Sequence, residues 1–332
     1  MMRTLVVSKR TLAIGCLALL AFYFAVAQPF GYSPDFKQYE FFFQEVRQYA
    51  SEIRSVNRFE PAFFYVSAAL SKVIISDVLL YGSFVVFAIS VKFIYAFKGV
   101  FGYYFWLGVV FYFFKFFPLL ELTQLRAALG AALLIAAFYF SSNRKFLIGL
   151  LVGLSGALFH YSVLMVLPLL FLPAMRRSHS ILLAISAFSF LSLLSAYLIE
   201  VAGYGFAVFE TYENSSYSVR SLNRFSPVFL PEFFIIACSL ICWRELDKTM
   251  QRIVAIEMLG FSMFYALAEY GVVATRGREL FAVLWLYFVA HCGVSSNKMR
   301  FFVNIFVFSS ALLYFYIFFV LGFFVDASQW NE

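Results

Sequence analysis

The sequence predicts an all-α fold, a polytopic transmembrane helical bundle of about 10–12 spans with two longer outer loops. Three observations predict it. Hydrophobic residues make up 63% of the 332 and charged residues 13%, against about 45–50% and 25% in a soluble domain, so water leaves the apolar excess nowhere to go. Apolar runs, parted by short charged segments, recur from Thr11 to Val325 and read as one integral membrane domain over 1–332. The charges between the runs are segregated by sign, as the positive-inside rule requires of a multi-span chain.

The first run, near 11–27, follows Arg3, Lys9 and Arg10. Gln28-Pro29-Phe30 is a poor small-residue cleavage site, so the run is expected to be retained as a helix. Further runs lie near 77–97, 101–119, 122–141, 146–160, 161–174, 180–199, 226–243, 253–270, 279–294 and 301–325. The apolar stretch 61–76 is interrupted by Lys72 and followed by Asp77, which fits a re-entrant or interfacial helix. The pair 146–160 and 161–174 is short for two vertical spans, since about 20 residues are needed, and this places a turn at His160 inside the membrane.

The first outer loop, 28–60, mixes charge with Tyr32, Phe36, Tyr39, Phe41, Phe42, Phe43 and Tyr49. That mixture predicts an amphipathic helix against the headgroups, with Asp35 beside its start after Pro34. The second outer loop, 200–225, carries Tyr204, Tyr212, Tyr217, Arg220 and Arg224. With the N-terminus inside, the inner segments collect Arg10, Lys98, Arg144, Lys145, Arg176, Arg177, Arg244, Lys248 and Arg300, and the outer ones Asp35, Glu40, Glu45, Glu52, Glu60, Glu200 and Glu210. This sorting also accounts for the formal net charge of +7, so membrane lipids are the expected partners and no nucleic acid is.

Cys16, Cys238, Cys242 and Cys292 lie in or beside apolar runs without a CxxC pair and read as small fillers rather than zinc ligands. No P-loop, GxGxxG, HExxH or GxSxG occurs. No carboxylate pair has diagnostic spacing for a cation, so neither metal nor cofactor is expected.

Charge inside an apolar helix is expensive and defaults to function or pairing. Arg126, in Leu122-Thr-Gln-Leu-Arg126-Ala-Ala-Leu-Gly130, is the clearest case. It is either an interfacial arginine snorkelling or pairing with nearby Glu121, or a planar fork facing a cavity that holds phosphate or carboxylate. His160 stands at the intramembrane turn as a satisfied core histidine, an acid/base group or a hydrogen-bond donor. Arg276 and Arg278 form either a solvated outer turn beside Glu279 or, with Arg220 and Arg224, a basic pocket for a diphosphate. Arg58 and Glu60 flank the entrance of the 61–76 segment, with Pro61 at its first position.

At these residues the chain resembles the EpsG-type membrane proteins of bacterial exopolysaccharide synthesis, related in role to the Wzy-like polysaccharide polymerases. The resemblance is carried in order by Tyr32-Ser-Pro-Asp35-Phe-Lys-Gln-Tyr39, Glu60-Pro61-Ala62-Phe63, Leu125-Arg126-Ala-Ala-Leu-Gly-Ala-Ala, Phe159-His160-Tyr161-Ser162, and a late Arg276 or Arg278 ahead of Tyr287. The family more often has Gln after the helix arginine, where this chain has Ala127.

The resemblance implies polymerisation of undecaprenyl-diphosphate-linked oligosaccharide repeats of O-antigen, capsule or exopolysaccharide at the outer face of the inner membrane, without metal. It implies a chain-length regulator (a polysaccharide co-polymerase) and a flippase as partners. Catalytic roles then fall to His160, Arg126, Arg276, Arg278, Asp35 and Glu60, and substrate contacts to Tyr32, Tyr39, Arg58, Tyr161, Arg220, Arg224 and Tyr217. Two rival readings use the same residues. One is a flippase or transporter of a lipid-linked oligosaccharide; the other is a membrane acyltransferase with His160 as base.

Overall fold

The structure is a computed structural model and describes residues 8–28, 33, 35–49, 59–201, 226–268, 271–295 and 297–321. Helices and short connections account for these residues, and no strand occurs among them. Tyr32, Arg58, Tyr217, Arg220 and Arg224 lie outside them. The chain divides into two compact units, one drawn from Met1–Leu167 with Ser310–Glu332 and the other from Pro168–Ser309.

In the first unit, helix α1 (Lys9–Ala27) is started by Ser8, whose hydroxyl accepts from the Thr11 N–H at 3.1 Å, one of the four donors a helix start leaves orphaned. Helix α2 (Phe36–Tyr49) follows Asp35. Its apolar residues Phe36, Tyr39, Phe42, Phe43 and Val46 recur at helical spacing and are buried. The sequence directs that face at headgroups; in the structure it packs on protein. Phe42 and Phe63 stack at 5.3 Å and Phe43 and Phe84 at 6.2 Å, which joins α2 to α3 (Pro61–Ser71) and α4 (Asp77–Ala96). The amphipathic helix is therefore a wall of the bundle.

Helix α5 (Tyr103–Phe111) starts after Gly102, whose φ of 86° suits glycine. It runs on as a π-helix over Tyr112–Glu121 containing Pro118, whose missing N–H cannot complete an α-helical turn. Helix α6 (Leu125–Ser142) is alanine-rich and buried over most of its length. It lies so close to α7 (Phe146–Phe159) that a Cβ on Gly130 would come within 3.1 Å of His160 Cβ, and one on Gly156 within 3.2 Å of the Gly130 carbonyl. The predicted 161–174 span is a one-turn α8 (Val163–Val166) followed by a 3₁₀ segment Leu167–Phe171.

The second unit contains α9 (Arg177–Val201), α10 (Leu230–Ile241), α11 (Lys248–Ala266), α12 (Gly271–Ala282) and α13 (Trp285–Ser295). Asp247 caps α11 by accepting from the Thr249 and Met250 N–H groups at 2.8 and 2.9 Å. The predicted 279–294 span is thus two helices, α12 and α13, and Arg276 and Arg278 sit inside a helix rather than in a loop before one. The last helix, α14 (Asn297–Phe315), ends in a π-helical segment Tyr316–Val320.

Six described helical stretches are long and apolar enough to cross a bilayer: Lys9–Ala27, Asp77–Ala96, Tyr103–Glu121, Leu125–Ser142, Arg177–Leu194 and Asn297–Val320. Pro61–Ser71, Phe146–Phe159 and Pro227–Ile241 are apolar but shorter. Of the four free cysteines, Cys238, Cys242 and Cys292 are buried, whereas Cys16 is exposed on α1 rather than filling an interior.

Candidate functional site

The site is built from four helix ends of the first unit. Glu60 takes the N-cap position of α3 in the extended conformation that a following proline favours, and Pro61 occupies the first helical position, where no N–H is needed. Its side chain does not cap the helix. It turns away, and its two oxygens take different partners: Oε2 accepts from Arg126 Nη1 at 2.5 Å and Oε1 lies 3.1 Å from His160 Nδ1.

Arg126 is the second residue of α6, and His160 terminates α7 in an extended conformation, its N–H donating to the Gly156 carbonyl at 3.0 Å. Residues separated by 66 and 100 positions from Glu60 thus meet on one carboxylate. The Gly130–Gly156 approach of α6 and α7 is what permits it.

Two aromatic groups complete the cluster. The Phe59 ring lies 4.5 Å from the Arg126 guanidinium carbon, a cation–π contact. The Tyr39 phenol of α2 is within hydrogen-bonding reach of the same guanidinium. Burial pushes that phenol up, so it is neutral at working pH. Burial on its own would raise the Glu60 carboxyl as well, but the His160 hydrogen bond and the Arg126 charge outweigh it and hold the group down at about 2. A carboxylate held there is a weak proton acceptor at neutral pH and a strong electrostatic partner.

Among the described residues, His160 Nε2 and Arg126 Nε are buried and have no hydrogen-bond partner. Buried polar atoms are nearly always paired, so an unpaired one is open to a partner from a ligand or water. The cluster therefore presents an imidazole nitrogen and a guanidinium edge, both oriented by Glu60.

Four predicted site residues, Tyr39, Glu60, Arg126 and His160, are brought together. Asp35 is half-buried in the turn before α2, close enough for its charge to act on Tyr39. Tyr161, next to His160, is exposed. Glu121, weighed as a local partner of Arg126, pairs with Lys92 instead.

In the second unit Arg278 is buried between two carboxylates. Its Nη1 donates to Glu257 at 2.7 Å, its Nη2 pairs with Glu232, and the Phe261 ring lies 4.0 Å from its guanidinium carbon. The basic turn read from the sequence is here a buried arginine held by two carboxylates. Arg276 is half-buried two residues earlier on the same helix. The sequence reading passed over Lys92, Glu232 and Glu257, although each is a charge within an apolar run and could have been flagged on that ground.

A helical, multi-pass membrane protein in which a part-buried arginine and a histidine meet on one buried glutamate is the class that these observations define. Within it, the chain belongs to the EpsG family, whose profile matches residues 12–331, essentially the whole sequence. This is a Wzy-like, polymerase-type family, and membership gives the protein a polysaccharide polymerase-type role in exopolysaccharide biosynthesis. No curated protein and no solved structure matches the chain.

Proposed function

We propose that the protein joins undecaprenyl-diphosphate-linked oligosaccharide repeats at the outer face of the bacterial inner membrane, and that the Arg126-Glu60-His160 cluster carries the reaction. The observation behind this reading is the single carboxylate bridging a guanidinium and an imidazole whose far nitrogen is buried and unpaired among the described residues.

Glu60 accepts the Nδ1–H of His160, which leaves Nε2 as the basic nitrogen, the logic by which a carboxylate orients a catalytic histidine elsewhere. The terminal hydroxyl of one lipid-linked unit gives its proton to Nε2. Its oxygen forms the new glycosidic bond to the anomeric carbon of the growing chain, and the bond from that carbon to the diphosphate breaks. The electron pair leaves with the diphosphate, where Arg126 meets the developing charge through a donor edge that Glu60 does not occupy. The diphosphate is already an activated leaving group, so the bond exchange needs no nucleotide. Tyr39 and Phe59 fix the guanidinium plane from its other sides. Arg278 has both its terminal nitrogens engaged by carboxylates, which supports a role in holding the second unit together.

The test is the purified full-length protein in lipid nanodiscs, given a defined lipid-linked repeat. Polymer should form, and should fall at least about 100-fold in His160→Ala, the scale of a lost general base, with a comparable loss in Arg126→Ala. Unchanged polymer from both variants would sink the assignment. Lipid-linked single repeats trapped on the inner face of cells lacking the gene would favour a transporter instead.

A further inference from the structure

A second buried charge pair stands behind the site in the same unit. Lys92 of α4 and Glu121 at the end of the π-helix are both fully buried, and Lys92 Nζ donates to Glu121 Oε1. The Lys92 ammonium also lies 5.5 Å from the Tyr112 ring centroid. Glu121 is gripped a second time, since the Tyr81 hydroxyl donates to its main-chain carbonyl at 2.7 Å. Tyr81 and Lys92 lie about three turns apart on one face of α4, so one rigid helix fixes both ends of this residue.

That anchorage reaches Arg126 by two routes. Only Leu122, Thr123 and Gln124 separate Glu121 from the start of α6, and the connection is tied down throughout. Leu122 N–H donates to the Phe117 carbonyl at 3.1 Å, Gln124 N–H to the Leu120 carbonyl at 2.9 Å, and the Thr123 hydroxyl to the Pro118 carbonyl at 2.9 Å. By the other route, the Tyr81 ring meets the Tyr39 ring edge-on at 5.8 Å, and the Tyr39 phenol is the group that reaches the guanidinium.

A buried ion pair is weak evidence for stability, because replacing both members by apolar groups is often neutral; its better attested use is to fix one register. We propose that Lys92 and Glu121 are positioning residues that set where Arg126 presents its guanidinium to a lipid diphosphate. The inference rests on the polymerase reading of the Arg126 cluster and extends it to residues that touch no substrate.

A positioning pair acts through Arg126, so its loss and the loss of Arg126 must not add; a merely stabilising pair would give additive losses. Binding of a short-chain polyprenyl diphosphate to the full-length protein in nanodiscs reads this directly. Arg126→Ala should weaken binding about 10- to 100-fold, the range for a hydrogen-bonded charge. The apolar pair Lys92→Met/Glu121→Met should melt close to the parent protein yet bind at least about tenfold more weakly, and adding Arg126→Ala to it should cost little more than Arg126→Ala alone.

Parent-like binding by the apolar pair, or fully additive losses, would overturn the positioning role while leaving the Arg126 site intact. Parent-like binding by Arg126→Ala would instead remove the site reading itself. Should the apolar pair not assemble, Lys92→Gln/Glu121→Gln, which removes the ionic attraction, enters the same cycle: weaker binding that does not add to the loss in Arg126→Ala is expected, and parent-like binding would overturn the positioning role of the ion pair. Where Arg126→Ala binds below detection, Arg126→Lys takes its place.

Discussion

Glu60 decides how the residues of the site behave. Its carboxylate serves two cationic or donor groups at once, and the residue stands in the turn ahead of α3, outside the long apolar helices. Its folded value of about 2 lies below the ordinary 4.5. The sign follows from linkage: a depressed carboxyl contributes stability fully above its unfolded value, and the contribution is lost as pH falls through the folded one. The shift corresponds to roughly 3 kcal/mol, an order-of-magnitude figure. Glu60→Gln should therefore flatten the loss of melting temperature between about pH 4.5 and 2, while the two proteins run parallel from pH 5 to 8. Melting curves in detergent across that range check it, and an unchanged acid slope in the variant would show that the bridge is not formed. The same argument assigns any activity limb between pH 5 and 8 to a group other than Glu60.

At the scale of elements, the site depends on how closely α6 and α7 cross. Gly130 sits where an added Cβ would meet Val163 Cγ2 at 2.9 Å and His160 Cβ at 3.1 Å. Gly130→Ala therefore pushes on the turn that carries His160. Overpacking of this kind costs typically about 1–3 kcal/mol, but the effect on the His160–Glu60 contact should be larger than that on the fold. The expected result is a variant that melts within several degrees of the parent protein and polymerises at least about tenfold more slowly, since displacements near 1 Å can cost 100-fold. Equal activity would show that the turn moves independently of the helix crossing.

The sequence did mark α2 as amphipathic, by the mixture of charge with Phe36, Tyr39, Phe42 and Phe43. It could not distinguish the acyl chains beneath the headgroups from Phe63 and Phe84 as the surface that covers them, because both are apolar. The split of the 279–294 run into α12 and α13 was hidden for a similar reason. Val283 and Leu284, where the helix breaks, are as apolar as their neighbours, and Gly271–Ala282 carries enough charge to read as a loop.

At the scale of the molecule, composition made the helical membrane class legible, and isolated polar residues made Arg126, His160 and Glu60 legible as a set. Their common meeting point was not, since it joins residues 60, 126 and 160 through tertiary packing alone. Arg10 donates to the Phe97 carbonyl at 3.3 Å, and Lys98 lies 4.7 Å from the Tyr139 ring. These basic residues thus gather where α1 begins and α4 and α6 end. Arg126 lies at the opposite end of α6, where Glu60 meets it from the start of α3.

Helix α6 has 18 residues, so it is about 27 Å long and about 24 Å separates Arg126 from Ser142, the scale of a bilayer core. The side of the membrane on which Asn143 is reached therefore reports the side on which the site opens. In a cysteine-free background, Lys37→Cys on the exposed face of α2 should react with a membrane-impermeant maleimide in spheroplasts, and Asn143→Cys only after permeabilisation. The opposite pattern would put the Arg126 cluster in the cytoplasm. Polymerisation would then have to precede translocation, and the outer-face reaction proposed for this chain would fall even if both His160 and Arg126 proved essential.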